Sequence, residues 1–116
     1  MTMQRAKLAD IQYIASSAGS IYSNPASTKT FVRSLIFHNT NTASETVKVY
    51  NVPDSTGSLG TASAANRFLN ITLAANATFE YSPEYPMVLT DTNDSIQAET
   101  TTASKVTAMV IGDQDA

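Results

Sequence analysis

Short runs of strand-forming residues, each closed by turn-forming residues, constrain the fold of this sequence more than any other feature. From Asp10 onward the runs are rich in Val, Ile, Thr, Tyr and Phe, and they recur roughly every 8–12 residues. Apolar residues do not recur every three or four positions over a length that would form a helix. The pattern predicts an all-β chain of about seven or eight short strands, folded as a single-domain antiparallel β-sandwich of jelly-roll-like type.

Two pairs of runs lie close enough in sequence to predict hairpins. Residues 30–38 (TFVRSLIFH) and 46–52 (TVKVYNV) are separated by a polar loop, so residues 30–52 are predicted to form a hairpin with a longer connection. Residues 68–73 (FLNITL) and 77–81 (ATFEY) are separated by only three residues. These two runs predict a second hairpin.

The first nine residues stand apart from the strand pattern. They contain a helix-like stretch, QRAKLA, that is too short to hold a helix alone. We therefore expect an N-terminal arm at residues 1–9 and a β-sandwich domain at residues 10–116. The length of 116 residues suits one domain of this kind.

Charge and composition argue against several functional classes. The seven basic residues are scattered and the net charge is −3, so no Lys/Arg cluster is available for nucleic-acid phosphates or anionic membranes. The chain has no cysteine, and no apolar run approaches the ~18 residues of a membrane span. The sequence as given begins without the apolar stretch of a secretory signal. We expect a protein made in the cytoplasm with a weakly charged surface that is easily desolvated against a partner.

Candidate catalytic and metal-binding residues are few, and each has a simpler interpretation. His38 is the only histidine; a strand-end histidine that hydrogen-bonds a loop is favoured over a general base. The acid pairs Glu80/Glu84 and Asp91/Asp94 are expected by chance among ten acids. The Asp91–Asp94 turn lacks the Gly and Glu of a calcium loop. The sequence therefore predicts no enzyme activity, no metal site and no cofactor.

The five tyrosines point to binding rather than to catalysis. Exposed tyrosine contributes both to protein interfaces and to stacking on sugars. A carbohydrate-binding module would use Tyr22, Tyr50, Tyr81 or Tyr85 as its stacking platforms. The absence of Trp counts against such a module, because Trp gives the largest stacking face.

A series of short motifs runs in order from residue 20 to residue 111. The motifs are SIYS at 20–23, LIFHNT at 35–40, VKVYNVP at 47–53, Asn66, TFE at 78–80, MVL at 87–89, DSIQA at 94–98 and a final Val-rich strand. In this order the sequence resembles small all-β virion structural proteins of tailed bacteriophages, of the capsid decoration (cement) or tail-associated type. Those proteins have Gly-Asp where this chain has Asn93-Asp94, and Asn is the next best residue at a positive φ.

The resemblance implies a structural virion protein, above all a capsid decoration protein that binds the major capsid protein and stabilises the shell. It implies a place on the capsid exterior, synthesis in the host cytoplasm and a homo-oligomer, by analogy a trimer. The expected partner-binding residues are Arg5, Lys7 and Leu8 of the arm, which would reach onto an acidic neighbouring subunit, together with Tyr22 and Tyr85. A tail, neck or baseplate component is the alternative within the virion.

Overall fold

Nine antiparallel β-strands make up the regular structure of the described part of the chain. The computed structural model describes residues 3–115, with all side chains there except those at positions 5 and 6. The strands are β1 (Met3–Tyr13), β2 (Gly19–Ser23), β3 (Lys29–Asn39), β4 (Glu45–Val52), β5 (Arg67–Leu73), β6 (Thr78–Tyr81), β7 (Met87–Leu89), β8 (Ser95–Thr100) and β9 (Val106–Asp115). The predicted all-β class is confirmed.

The strands form two sheets with the strand order of a jelly roll. Sheet A has the order β1-β9-β3-β6, with β7 also paired to β3, and sheet B has the order β2-β8-β4-β5. The last strand returns to lie between β1 and β3, and β8 likewise lies between β2 and β4. These two returns are the Greek-key connections that define a jelly roll. The predicted antiparallel sandwich of jelly-roll type is therefore confirmed.

Both predicted hairpins are wrong, because the chain crosses between the sheets at each of the two loops. Strand β3 lies in sheet A and β4 in sheet B, while β5 lies in sheet B and β6 in sheet A. The apolar faces of β3 and β4 meet across the core, so the two strands pack face to face instead of edge to edge. In the described residues, β4 and β5 are the one pair of consecutive strands joined by a backbone hydrogen-bond ladder.

The ninth strand arises because one edge strand of sheet A is interrupted. Strands β6 and β7 follow each other along β3, with Leu35 opposite Tyr81 and Val32 opposite Met87. On β3 only two residues lie between Val32 and Leu35, whereas five residues, 82–86, lie between their partners Tyr81 and Met87. This five-residue segment loops out from the sheet edge, and its two prolines lack the N–H groups that would continue the ladder.

The predicted N-terminal arm is part of the sandwich from its third residue onward. Strand β1 pairs with β9 from Met3, opposite Asp115, to Tyr13, opposite Thr107. Irregularities interrupt the register after Lys7 and after Ala9, but one strand runs through the boundary expected at residue 10. The cause is tertiary: pairing with β9 determines the conformation, and the weak local helix preference does not.

The core is built from the inward faces of both sheets. Its fully buried side chains include Ile14, Val32, Leu35, Phe37, Val47, Val49, Leu89, Ile96, Val106 and Val110. On β3 and β9 buried residues alternate with partly exposed ones, as expected for strands with one face on the core. At Gly112 the two strands approach so closely that a Cβ atom would collide with the Phe31 carbonyl oxygen.

Candidate docking surface

Tyr22, expected at a partner interface, belongs to the core. Its side chain is buried, and its hydroxyl lies 3.1 Å from Thr30 Oγ1. The same hydroxyl accepts a hydrogen bond from Gln114 Nε2 at 2.7 Å. These two polar partners allow a tyrosine to be buried, so Tyr22 has no free surface to offer.

Of the three partner-binding residues predicted for the arm, Lys7 and Leu8 have described side chains. The Arg5 side chain lies outside the described part of the structure, and its role stays a prediction. Lys7 is exposed and forms an ion pair with Asp10, Nζ to Oδ1, at 2.5 Å. Leu8 is half-buried against the core, where it contributes to packing.

Tyr85 is the predicted partner-binding residue that the structure places fully at the surface. Its side chain is 79% exposed on the loop of residues 82–86. The base of this loop is fastened, because Ser82 Oγ donates to Glu80 Oε2 at 2.8 Å. Glu80 also accepts from Ser34 Oγ at 3.1 Å. A tyrosine held on a proline-restricted loop loses little conformational entropy on binding.

The tyrosines proposed for sugar stacking do not share one platform. Tyr50 is buried and donates its hydroxyl to Glu99 Oε2 at 2.9 Å; burial and the neighbouring carboxylate raise the pKa of this tyrosine. Tyr81 is half-buried, with its ring centroid 5.6 Å from that of Phe68. Of the four candidates Tyr85 alone is exposed.

Two of the polar residues considered for chemistry, His38 and Asp94, are engaged within the fold. His38 Nδ1 lies 2.8 Å from Thr78 Oγ1 on the adjacent strand β6. Asp94 Oδ2 accepts from the N–H groups of Thr90 and Asp91 at 3.2 and 3.0 Å, the self-capped turn that the sequence favoured over a calcium loop. Asn93 takes the predicted positive φ, at 73°.

A buried carboxylate and a buried amide hold one end of the sandwich. Glu45 accepts from Asn41 Nδ2 at 2.9 Å and from the Thr102 N–H at 2.8 Å. Burial acts to raise the pKa of Glu45, but these hydrogen bonds outweigh it and the pKa is lowered. The amide of Asn39 donates to three carbonyl oxygens, those of Ala43, Leu73 and Ala74, at 2.9, 3.1 and 3.1 Å.

The outer face of sheet A carries seven apolar side chains, which we call the apolar face. It consists of Ile11, Tyr13, Phe31, Ile36, Val88, Met109 and Ile111. Ile36 and Met109 are opposite each other at its centre, and Ile11 and Tyr13 on β1 are 64% and 57% exposed. Polar residues lie beside them, with Glu80 opposite Ile36 and Ser34 opposite Ile111. A group of exposed apolar side chains is nevertheless typical of interaction sites.

Sequence reasoning missed the apolar face because its members come from four separate strands. Each one looks like an ordinary strand residue, and strand alternation does not reveal which face meets solvent. The sequence does contain one signal: of the three outward-facing positions 107, 109 and 111 on β9, the last two are apolar. Its meaning depends on the neighbouring strands, and those are known only from the topology.

The outer face of sheet B is polar by contrast. Lys48 on β4 lies between Asn70 on β5 and Glu99 on β8, and a shallow pocket there is lined by Thr46, Lys48, Glu99, Thr100 and Thr101. In residues 3–115 there is no helix that could span a membrane. The same part of the chain contains no cluster of three metal-ligating side chains.

Comparison with known proteins gives a likeness of fold. No protein-family model matches the chain, and neither does any curated protein. Among solved structures, one chain comes from the Bacillus endospore appendages, which form a novel family of disulfide-linked pili. It is 15% identical, with a TM-score of 0.54, over 97% of this chain and 87% of that one.

A second solved structure is that of infectious bursal disease virus, Gt strain. Its identity is 11% and its TM-score 0.35, over 97% of this chain and 30% of that chain. A score this low establishes no shared fold. The comparisons therefore show that the chain has the same β-sandwich fold as the appendage protein.

Proposed function

We propose that this chain is a structural virion protein of a tailed bacteriophage that works by docking onto neighbouring protein subunits, without catalysis. The observation that carries the proposal is the contrast between the two outer faces of the sandwich. The apolar face exposes Ile11, Tyr13 and Val88, while the outer face of sheet B is polar. A sandwich that served only as a soluble binding module would have no reason to expose this group of apolar side chains on one sheet face.

The finer proposal is a capsid decoration protein on the outside of the shell, bound to the major capsid protein. Support comes from the ordered motifs between residues 20 and 111 that resemble phage virion proteins. Tyr85 is proposed as a contact to the capsid, since exposed tyrosines are enriched among the residues that dominate interface energies. Lys7 and Arg5 are proposed to add contacts to acidic capsid surface.

A tail, neck or baseplate position is the alternative within the virion, and copy number separates the two. Purified particles are divided into heads and tails, and the chain is quantified in each fraction by mass spectrometry with isotope-labelled peptides. A decoration protein is expected in many copies on heads. Its presence only in tails, in few copies, would overturn the decoration proposal, and its absence from both fractions would overturn the virion proposal itself.

Binding of the purified chain to heads that lack it provides the site-specific test. Tyr85→Ala is expected to reduce binding at least tenfold, because it removes an exposed aromatic contact from a folded protein. Thr72→Ala, on the exposed outer face of sheet B, is the matched control and is expected to bind as the parent chain does. Equal binding by both variants would remove Tyr85 from the proposed contact.

A subunit of a pilus-like filament is a second candidate, favoured by the fold shared with the Bacillus appendage protein. That appendage is disulfide-linked, whereas this chain has no cysteine and would need non-covalent contacts between subunits. Filaments formed by the purified chain alone, visible by negative-stain electron microscopy, would favour this candidate over the virion protein.

A further inference from the structure

We propose that the apolar face is covered by the same face of a second copy of this chain. The inference rests on the proposed function, because it names the occupant of the surface that carries that function. In an isologous pair each residue of the face meets a residue of the same face on the other copy. Ile36 and Met109, opposite each other in the middle of the face, would lie near the twofold axis.

Two ion pairs within the chain border the apolar face, and a hydrogen-bonded carboxylate lies beside them. Arg33 Nε lies 2.5 Å from Asp113 Oδ2, and Lys7 is paired with Asp10 at the same distance. The carboxylate of Glu80 accepts hydrogen bonds from two serine hydroxyls. Each of these five groups therefore keeps an opposite charge or hydrogen-bond donors within the chain when the face is buried, and a charge without any partner is the one that is costly to bury.

This internal compensation favours a second copy over a basic or acidic partner. The whole chain has a net charge of −3, so two copies repel each other at most orientations. The two ion pairs present little net field at the apolar face, so apposing two such faces adds little repulsion between these four groups. A strongly charged partner would find the same four charges already paired.

The size of the whole outer face of sheet A, in which the apolar face lies, also suits a pair. Strand β3 has 11 residues, which at roughly 3.3 Å each span about 36 Å. Four strand positions at about 4.8 Å give a width of about 19 Å, so the footprint is about 700 Å² on each copy. A standard stable interface buries about 800 Å² per partner, and two sheets pack readily face to face at about 10 Å.

Sedimentation equilibrium of the purified chain tests the pairing directly. The parent chain is expected to dimerise in a concentration-dependent way, and Ile11→Glu and Val88→Glu are each expected to weaken association at least tenfold. Both side chains are exposed, so both variants are expected to fold. Asn70→Glu, on the outer face of sheet B, is the matched control and is expected to dimerise like the parent. A parent chain that stays monomeric at sub-millimolar concentration would overturn the inference.

Single-cysteine variants locate the contact, because the chain has no cysteine of its own. Met109→Cys is expected to form a covalent dimer under mild oxidation, since the two thiols would lie near the twofold axis. Lys48→Cys, on sheet B, is expected to remain largely monomeric. Cross-linking through Lys48→Cys and not through Met109→Cys would place the contact elsewhere and contradict the inference.

The outcomes also separate this inference from the proposed function. A monomeric chain that still binds phage heads, and loses binding on Ile11→Glu, would mean that another virion protein covers the face, and the second copy would be ruled out. A dimer that is absent from particles would overturn the virion proposal while leaving the pairing intact.

Discussion

The carboxylate of Glu45 accepts a hydrogen bond from the backbone N–H of Thr102 at 2.8 Å. Glu45 begins β4, and Thr102 lies in the connection from β8 to β9, so the contact joins two parts of the chain 57 residues apart. Hydrogen bonds to an ionised carboxylate are stronger than those between neutral groups. The charge of Glu45 is therefore part of what holds this end of the sandwich together.

Stability is expected to fall in acid because of Glu45. Its pKa in the folded state lies below the ordinary value of 4.5, so its contribution is fully present above about pH 4.5 and is lost as pH falls through the lower, folded pKa. Urea unfolding between pH 7 and pH 3 measures this loss. In Glu45→Gln the corresponding part of the pH dependence is expected to disappear, whereas Glu84→Gln, at an exposed loop position, is expected to keep it.

Asn39→Asp is expected to destabilise the fold by roughly 3 kcal/mol or more at neutral pH. The substitution replaces an N–H₂ group that faces three carbonyl oxygens with an acceptor in a buried place. Thermal and urea unfolding provide the measurement. Asn70→Asp makes the same chemical change at an exposed position on β5 and is expected to alter stability by less than about 0.5 kcal/mol. Equal effects would mean that the Asn39 contacts contribute little.

Gly112→Ala is expected to cost about 1–3 kcal/mol, the range for forcing extra atoms into a packed interior. The added methyl group would collide with the Phe31 carbonyl oxygen and contact Leu8, so β9 would have to move away from β3. Gly19→Ala is the control, because the position is open and its backbone is not left-handed. Unfolding midpoints that match for the two variants would contradict the close approach of β9 and β3.

Tyr22→Phe and Tyr85→Ala are expected to have opposite consequences. Tyr22→Phe removes the hydroxyl bonded to Thr30 and Gln114 and is expected to cost about 1 kcal/mol of stability, with head binding by the folded protein unchanged. Tyr85→Ala is expected to change stability by less than about 0.5 kcal/mol while reducing head binding. Calorimetry combined with co-sedimentation on heads measures both effects. If Tyr22→Phe lost head binding while keeping full stability, the hydroxyl of Tyr22 would have to contact the head, which would contradict its place in the core.

Strand positions could be predicted from the sequence, because they depend on local composition. The alternation of Val47 and Val49 with polar neighbours marks β4, and the β-branched and aromatic run of residues 30–38 marks β3. Strand partners could not be predicted in the same way. The loop after β3 has a length that serves equally for a hairpin or a crossing. Asn39 stabilises the crossing, and two of its three carbonyl partners lie 34 and 35 residues away.

The residues of the candidate docking surface also differ in whether local sequence or distant partners determine their position. Tyr85 could be placed at the surface because prolines on either side indicate a loop. Tyr22 could not be placed in the core, because the residue that satisfies its hydroxyl, Gln114, lies 92 positions along the chain. The apolar face depends on register between four strands, and a shift of one residue in any strand would turn its apolar side chains inward.

The position of β9 in the middle of sheet A has a consequence for synthesis on the ribosome. Strands β1 and β3 are separated by β9 and have no direct ladder to each other, so sheet A stays split until β9 itself has emerged from the exit tunnel. Until then the nascent chain must keep the edges of β1 and β3 from pairing with other nascent chains. Folding of sheet A is then expected to wait for β9 and to be slow for a domain of this length, as is usual where native neighbours are distant in sequence.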